Sequence, residues 1–265
     1  MYGFVTLTTD YGLSDGFVAA CHGVILRLAR DVRVIDVTHL VPPGEVSRGA
    51  AVLAQAVPHL PPAVHVAVVD PGVGTSRRAV VLRTPAGLLV GPDNGLLMPA
   101  TDALGGVLGA AELTNPEWTT GPVSATFHGR DVFSPAAARL ALGADPADAG
   151  PAIDPADLVR LPDPLVAVGP GFVEAEVLTV DRFGNVQLAA DADALHRAGL
   201  ADPGGRLRVG GLHAVSGRTF ADAAPGELVI FTDSAGKVAL AINGGRAVVA
   251  LAATPGEVLR VTAAS

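Results

Sequence analysis

Between Pro151 and Pro170 the chain places five prolines: Pro151, Pro155, Pro162, Pro164 and Pro170. A stretch built this way cannot carry a regular helix or a central strand, because each proline removes a backbone donor and fixes φ. It reads as a linker, and it leaves a part on either side that must find its own core. Domains commonly run to roughly 100–200 residues, so a chain of 265 accommodates one large domain or two modest ones. The hydrophobic share is 49%, yet no segment approaches the roughly 18 consecutive apolar residues of a spanning helix. The longest clean apolar run, Ala247–Ala253, reads as a buried strand. Met1–Leu7 lacks the basic region and small-residue cleavage site of a signal peptide, so a soluble, cytoplasmic protein with no membrane partner is expected.

The two parts differ in rhythm. Before the prolines, Phe4–Thr8, Val32–Val37 and Val64–Val69 are apolar runs of strand length, and the last is almost entirely valine and alanine, as in a strand buried on both faces. Between them lie helical patterns. Phe17, Cys21, Val24, Ile25 and Leu28 recur at helical spacing behind a possible Ser14 cap, and Glu45–Val57 carries Val46, Leu53 and Val57 up to Pro58. Val80–Arg83 and Leu88–Val90 flank a hairpin-type turn, and a last helix is expected from about Asp131 to Leu142, ended by Gly143. Such alternation predicts an α/β domain with a mostly parallel sheet flanked by helices. After the prolines, Phe172–Val180, Val186–Ala189, Leu207–Val209, Leu228–Thr232, Val238–Ile242 and Val258–Val261 read as strands, with only Ala192–Ala198 helical. Short strands between glycine-rich turns predict a smaller antiparallel β-barrel-like domain.

Composition excludes several functions. A lone cysteine, Cys21, rules out a disulfide framework and cysteine-based zinc sites. The formal charge of -8, with Lys237 the only lysine among 18 basic residues, argues against nucleic acid as a partner. With 17% charged residues the surface must expose much alanine, glycine and proline, which invites self-association.

Ligands of open parallel sheets bind at the carboxyl ends of strands, and three polar clusters fall there. Asp10 follows the first strand, Asp70 follows the valine strand, and His128 precedes the last helix of the first part. An Asp after a strand also serves as a turn-maker, and Asp93-Asn94-Gly95 reads foremost as a turn. His39, in a Thr-His-Leu loop, is a weaker candidate, and no histidines form a helical metal pair. The glycine-rich Pro71–Thr75 stretch lacks the lysine and spacing of a nucleotide-phosphate loop. Its glycines instead let the backbone pass close to a ligand and return Arg77 toward Asp70.

Taken together, Thr-Thr-Asp10-Tyr-Gly, Asp70-Pro-Gly-Val-Gly-Thr-Ser-Arg77, Gly-Pro-Asp-Asn94-Gly, Phe-His128-Gly-Arg-Asp and Asp181-Arg-Phe183-Gly-Asn185 resemble one family in its own motif order. That family is the adenosine-forming S-adenosylmethionine hydrolases, or SAM hydroxide adenosyltransferases, relatives of the fluorinase and chlorinase enzymes. The resemblance covers essentially the whole chain and implies two domains, 1–163 and 164–265. It implies hydrolysis of S-adenosylmethionine to adenosine and L-methionine by water attacking the ribose C5′, with S-adenosylmethionine as substrate and neither cofactor nor metal required. By the same match, Asp70, Arg77 and His128 would hold the water. The first domain would carry these residues, with Arg78 the adjacent alternative to Arg77; side chains alternate on an extended segment, so only one should face the site. Asp10 would grip the ribose hydroxyls, Asp181 the methionine ammonium and Ser234 its carboxylate, while Phe183, Asn185, Asn243 and Gly244 would meet the adenine. The family resemblance further implies a homotrimer with sites at subunit interfaces.

Three other readings compete with hydrolysis. Halide transfer to the same carbon is disfavoured because halogenating relatives carry Tyr and Thr where this chain has Asp70 and Val73, and Tyr-Ser in place of His128-Gly129. A carboxylate would repel the halide. A non-catalytic adenosine or S-adenosylmethionine binding module would carry a degraded Asp-Arg-His set, whereas all three are present. Metal-dependent phosphoester hydrolysis would need clustered Asp and His ligands that the spacing does not supply.

Overall fold

Valine and its β-branched neighbours put the first strands where the sequence expects them. In the computed structural model, which describes residues 1–264, the chain divides into two units, Met1–Leu161 and Pro162 onward. The first unit runs β1 (Phe4–Thr9), α1 (Phe17–Leu28), β2 (Arg33–Thr38), α2 (Val46–Ala56), β3 (Val64–Val68), β4 (Ala79–Arg83), β5 (Leu88–Pro92), α3 (Met98–Ala103), β6 (Gly109–Glu112), α4 (Ser134–Ala141) and β7 (Ala152–Ile153). Its sheet has the order β2-β1-β3-β5-β4-β6-β7. The four strands β2, β1, β3 and β5 pair in parallel, and beyond the β4–β5 hairpin the sheet continues antiparallel. One apolar core lies on the α1 and α4 face and a second on the α2 and α3 face. β3 feeds both, Val64, Val66 and Val68 to the first and Ala67 to the second, as its unbroken apolar run requires. The exception, His65, is buried and meets Thr6 Oγ1 at 2.9 Å from its Nδ1, while burial pushes its pKa down to about 4.

Helix boundaries show where tertiary contacts override local signals. Helix α1 has Gly16, not Ser14, at its N-cap; the Ser14 hydroxyl turns to Asp15. Only the middle of its expected stripe, Cys21, Val24 and Ile25, is buried, whereas Phe17 and Leu28 are exposed. Burial also pushes the Cys21 thiol up to about 11, which leaves it inert as a nucleophile. Helix α4 is preceded by a π-type turn over Gly129–Phe133, so the expected Asp131–Leu142 helix is two different windings.

The second unit runs β8 (Val166–Gly169), β9 (Phe172–Val180), β10 (Val186–Asp191), α5 (Ala192–Ala198), β11 (Arg206–Val209), β12 (Leu212–Ser216), β13 (Leu228–Thr232), β14 (Lys237–Ile242), α6 (Ala247–Leu251) and β15 (Val258–Ala263). Strand β10 pairs with both β14 and β9, so seven strands close into a barrel, and β8 adds to the outer edge of β9. Strict alternation of buried and half-buried residues along β9 sends Val173, Ala175 and Val177 inward to the barrel core. All pairs are antiparallel except β12 with β13.

Two expectations need correction. Ala247–Ala253 is not a buried strand; Ala247–Leu251 is helix α6, with Val249 exposed and the turn closed by Ala252 at a φ of 48°. A short apolar run does not by itself distinguish a strand from a helix, and here glycines precede it and no strand pairs with it among the described residues. The proline-rich stretch is likewise no free linker. Its first part forms edge strand β7 and a turn of helix at Pro155–Asp157, and its last part forms β8. Proline is tolerated at such sheet edges.

Candidate active site

The register of β1 on β3 builds the site. Thr9 pairs with Val68, so Asp10 and Asp70 emerge side by side at the carboxyl ends of adjacent parallel strands. After Asp70 the chain makes two tight turns, with the Val73 amide donating to Asp70 O at 3.2 Å and the Thr75 amide to Gly72 O at 3.2 Å. These turns return Arg77 to Asp70. Its Nε lies 2.9 Å and its Nη2 2.5 Å from Asp70 Oδ2, a fork with side chains only 11% and 4% exposed. Arg77 Nη2 also donates to His128 Nδ1 at 2.7 Å, so Asp70, Arg77 and His128 form one continuous chain. The neighbouring Arg78 points the other way, onto Asp93 Oδ2 at 2.6 Å and the Asp157 carbonyl at 2.5 Å.

A guanidinium only donates, so His128 Nδ1 is the acceptor and the ring proton sits on Nε2. Burial, and then the adjacent Arg77 charge, hold the His128 pKa below its ordinary value, against the pull of Asp70 and Asp131. The imidazole is therefore neutral near pH 7. Its position is fixed from behind: Asp131, buried, accepts from Arg130 Nε at 2.6 Å and from the Ser124 amide at 2.9 Å, which ties down the loop carrying His128. A Cβ at Gly129 would stand 2.0 Å from Tyr11 Oη, so the π-type turn packs directly on that ring.

Asp10, Asp70 and His128 line a cavity of about 240 Å³ together with Tyr11, Val73 and Thr126. One Asp10 oxygen, Oδ2, already accepts from the Gly44 amide at 2.9 Å, which orients the carboxylate within the cavity wall. Tyr11 was not foreseen. Burial raises its hydroxyl pKa, and its ring packs edge-on to Phe127 at 5.6 Å. The available signal was its place immediately after Asp10, at a strand's carboxyl end.

The glycine loop also approaches protein closely: a Cβ on Gly74, at a φ of +77°, would meet the Ala125 carbonyl oxygen at 2.4 Å. This contact seats the loop of Asp70 and Arg77 against the segment leading to His128. Asp93-Asn94-Gly95 serves structure, with Asp93 paired to Arg78 and Asn94 Nδ2 donating to Val69 O at 2.9 Å.

In the second unit the turn between β9 and β10 is organised by Asp181. Its Oδ1 accepts from the amides of Phe183 at 2.8 Å and Asn185 at 2.9 Å, and its Oδ2 accepts from Asn185 Nδ2 at 2.7 Å. Phe183 stands exposed rather than in the core. Asn243 and Gly244 follow β14 at the same barrel end, since Val186 of β10 pairs with Leu240 and the Val248 amide donates to Gly184 O at 2.9 Å. Asn243 Nδ2 donates to Ala223 O at 2.8 Å. Ser234 is exposed in the turn between β13 and β14, next to Asp233, which accepts from Gln187 Nε2 of β10 at 2.5 Å.

Residues 5–150 match the family model described as the SAM hydroxide adenosyltransferase N-terminal domain, and residues 175–260 match that of its C-terminal domain. A curated protein of Salinispora arenicola named (R)-S-adenosyl-L-methionine hydrolase is 65% identical over 260 residues, 98% of each chain. A protein of Actinoplanes sp. named fluorinase is 28% identical over 270 residues, 90% of each chain. Among solved structures, an uncharacterized conserved protein from Thermotoga maritima superposes with a TM-score of 0.89 at 35% identity, covering 99% of this chain and 100% of that one.

Proposed function

This chain belongs to the SAM hydroxide adenosyltransferase family, and from that premise we propose how its residues carry the reaction. It is an enzyme that hydrolyses S-adenosyl-L-methionine to adenosine and L-methionine. The observation that carries the mechanism is the unbroken Asp70–Arg77–His128 chain, whose two ends, Asp70 and His128, line the cavity with Asp10.

The sulfonium leaves as a neutral thioether and needs no acid; what the reaction lacks is a nucleophile, because bulk water has a pKa of ~15.7. In our reading a water sits between His128 Nε2–H, which donates to its oxygen, and Asp70, which accepts its proton. As that oxygen bonds to C5′, the carbon–sulfur pair passes to sulfur, and the water's proton leaves through Asp70 to solvent. Arg77 stabilises the charge developing on the oxygen and holds Asp70 in place. Asp10 takes the ribose hydroxyls in an orientation set by the Gly44 amide. The turns carrying Phe183, Asn185, Asn243 and Gly244 serve the adenine, with Asp181 and Ser234 on the methionine side. No cofactor enters the scheme. Halide transfer is a poor fit, since the largely desolvated Asp70 carboxylate would repel the anion. We further infer a cytoplasmic setting and a homotrimer whose sites lie at subunit interfaces, the latter checked by the solution mass.

The test is hydrolysis in ¹⁸O-water without metal or halide, supplied with each sulfonium epimer of S-adenosyl-L-methionine. Adenosine labelled at the 5′ oxygen is expected, with the (R) epimer turned over faster, as the name of the Salinispora relative suggests. Unlabelled adenosine, or tight binding without product, would reject the mechanism.

The pH dependence follows from His128. Protonation would place an N–H on Nδ1 opposite the Arg77 donor, so only the neutral ring is competent. Because its pKa is lowered, activity persists below the ordinary imidazole value of 6.5 and falls only at lower pH. The acid limb of the kcat profile is expected to have its midpoint below 6.5 and to vanish in the residual activity of His128→Asn.

A further inference from the structure

Away from the cavity, three side chains converge from elements far apart in sequence. His22 on α1, Asp36 on β2 and His39 just beyond β2 bring their ligand atoms within 4.8 Å of one another. His22 Nε2 stands 2.8 Å and His39 Nε2 3.0 Å from Asp36 Oδ1. Yet His39 Nε2 lies out of line for a hydrogen bond and has no partner, although the residue is only 3% exposed. A buried polar nitrogen aimed at a carboxylate and a second imidazole, with its bonding capacity unused, points to a missing ligand.

We propose that His22, Asp36 and His39 bind a late first-row divalent cation, zinc by preference, with solvent completing the coordination. Two imidazole nitrogens and one carboxylate oxygen form a donor set suited to zinc. Metal–ligand bonds of about 2.0–2.1 Å place tetrahedral ligands about 3.4 Å apart, so the two His–Asp spacings of 2.8 and 3.0 Å need to open by roughly half an ångström, while the three donor atoms already lie within 4.8 Å of one another. His39 Nδ1 lies 2.8 Å from Thr9 Oγ1, which accepts a hydrogen bond from the ring N–H when Nε2 turns its lone pair to the metal. The side chains of His22 and Asp36 are 29% and 41% exposed, which gives the ion a path in.

The site also has a structural consequence. The His39 carbonyl accepts from the Gly12 amide at 2.8 Å, and the chain then runs through Pro42 and Pro43 to Gly44, whose amide orients Asp10. A bound metal would pin this loop from behind without lining the cavity, so the proposal stands independently of the reaction assigned above.

The full-length protein, stripped with a chelator, is titrated with zinc chloride by calorimetry against a weak competing chelator, and separately with Co(II) to read visible d–d bands. One equivalent of zinc per chain is expected. Outer-sphere partners alone contribute about 10–100-fold to affinity, so Thr9→Val should fall in that range, and His22→Ala and Asp36→Asn should each lose at least ~100-fold. His59→Ala, which removes an exposed histidine elsewhere, should bind as the parent does. Circular dichroism checks that each variant is folded, and the partly exposed His22 keeps the test valid if Asp36→Asn is not. Absence of stoichiometric binding, or a His22→Ala protein that binds zinc as tightly as the parent, overturns the proposal.

Discussion

Arg77→Ala is expected to lower kcat by about 10²–10³-fold, the usual loss when a preorganised donor at a developing charge is removed. It should also destabilise the fold. Asp70 would be left with its carboxylate 4% exposed and without its counter-ion, and breaking a buried pair on one side costs about 3–5 kcal/mol. The two losses are separable. Replacing both partners, as Asp70→Asn with Arg77→Met, removes the unpaired charge and should recover most of the stability in a denaturant titration. Turnover should stay at or below the single-variant level. Arg77→Lys keeps the charge but loses the fork that holds Asp70 and His128 together, and it too should fall well short of the parent. A double variant that regained turnover along with stability would show that the reaction does not pass through this pair.

Gly74→Ala is expected to lower kcat by about 10²-fold although it alters no functional group, because a misplacement of about 1 Å at reacting groups has that effect. The added Cβ would stand 2.4 Å from a backbone carbonyl oxygen, that of Ala125, so the loop of Asp70 and Arg77 must move off the segment leading to His128. A left-handed φ adds about 1–2 kcal/mol of strain. Gly121→Ala separates the two effects. Its φ of +73° carries similar strain, but nothing lies within 4 Å of the new Cβ. It should lose comparable stability in a thermal melt and keep its turnover. Equal turnover in the two variants would mean that the loop contact does not set the geometry.

Strands rich in valine, such as β3 and β9, were legible because β-branched residues with the right periodicity have few other uses. Strand β6, Gly109–Glu112, was not, since Gly-Ala-Ala-Glu has no strand preference of its own and forms only because Ala111 pairs with Val81 of β4. Strand β12 and helix α6 were missed for the same reason: short segments take their conformation from neighbours that the local sequence does not contain. The fork of Arg77 on Asp70 was half legible, because the glycine loop between them and the alternation of Arg77 with Arg78 limited the choice. The brace of Asp131 behind His128, the packing of Tyr11 on Gly129 and the meeting of His22, Asp36 and His39 were not. Each depends on register and helix placement, which no motif records.

Closure of the seven-strand barrel has a consequence for how this architecture can change. Every strand in the ring pairs with two neighbours of the ring, β9 with β8 as well, so its integrity does not rest on the turns at its ends. The turns at 181–185 and 243–244 are held by a few local bonds, chiefly to Asp181 and Ala223. Substitutions and insertions there fall on a scaffold that tolerates them. Under the proposed roles, a new ligand preference would arise at the barrel rim while the Asp70–Arg77–His128 chain of the first unit stays as it is.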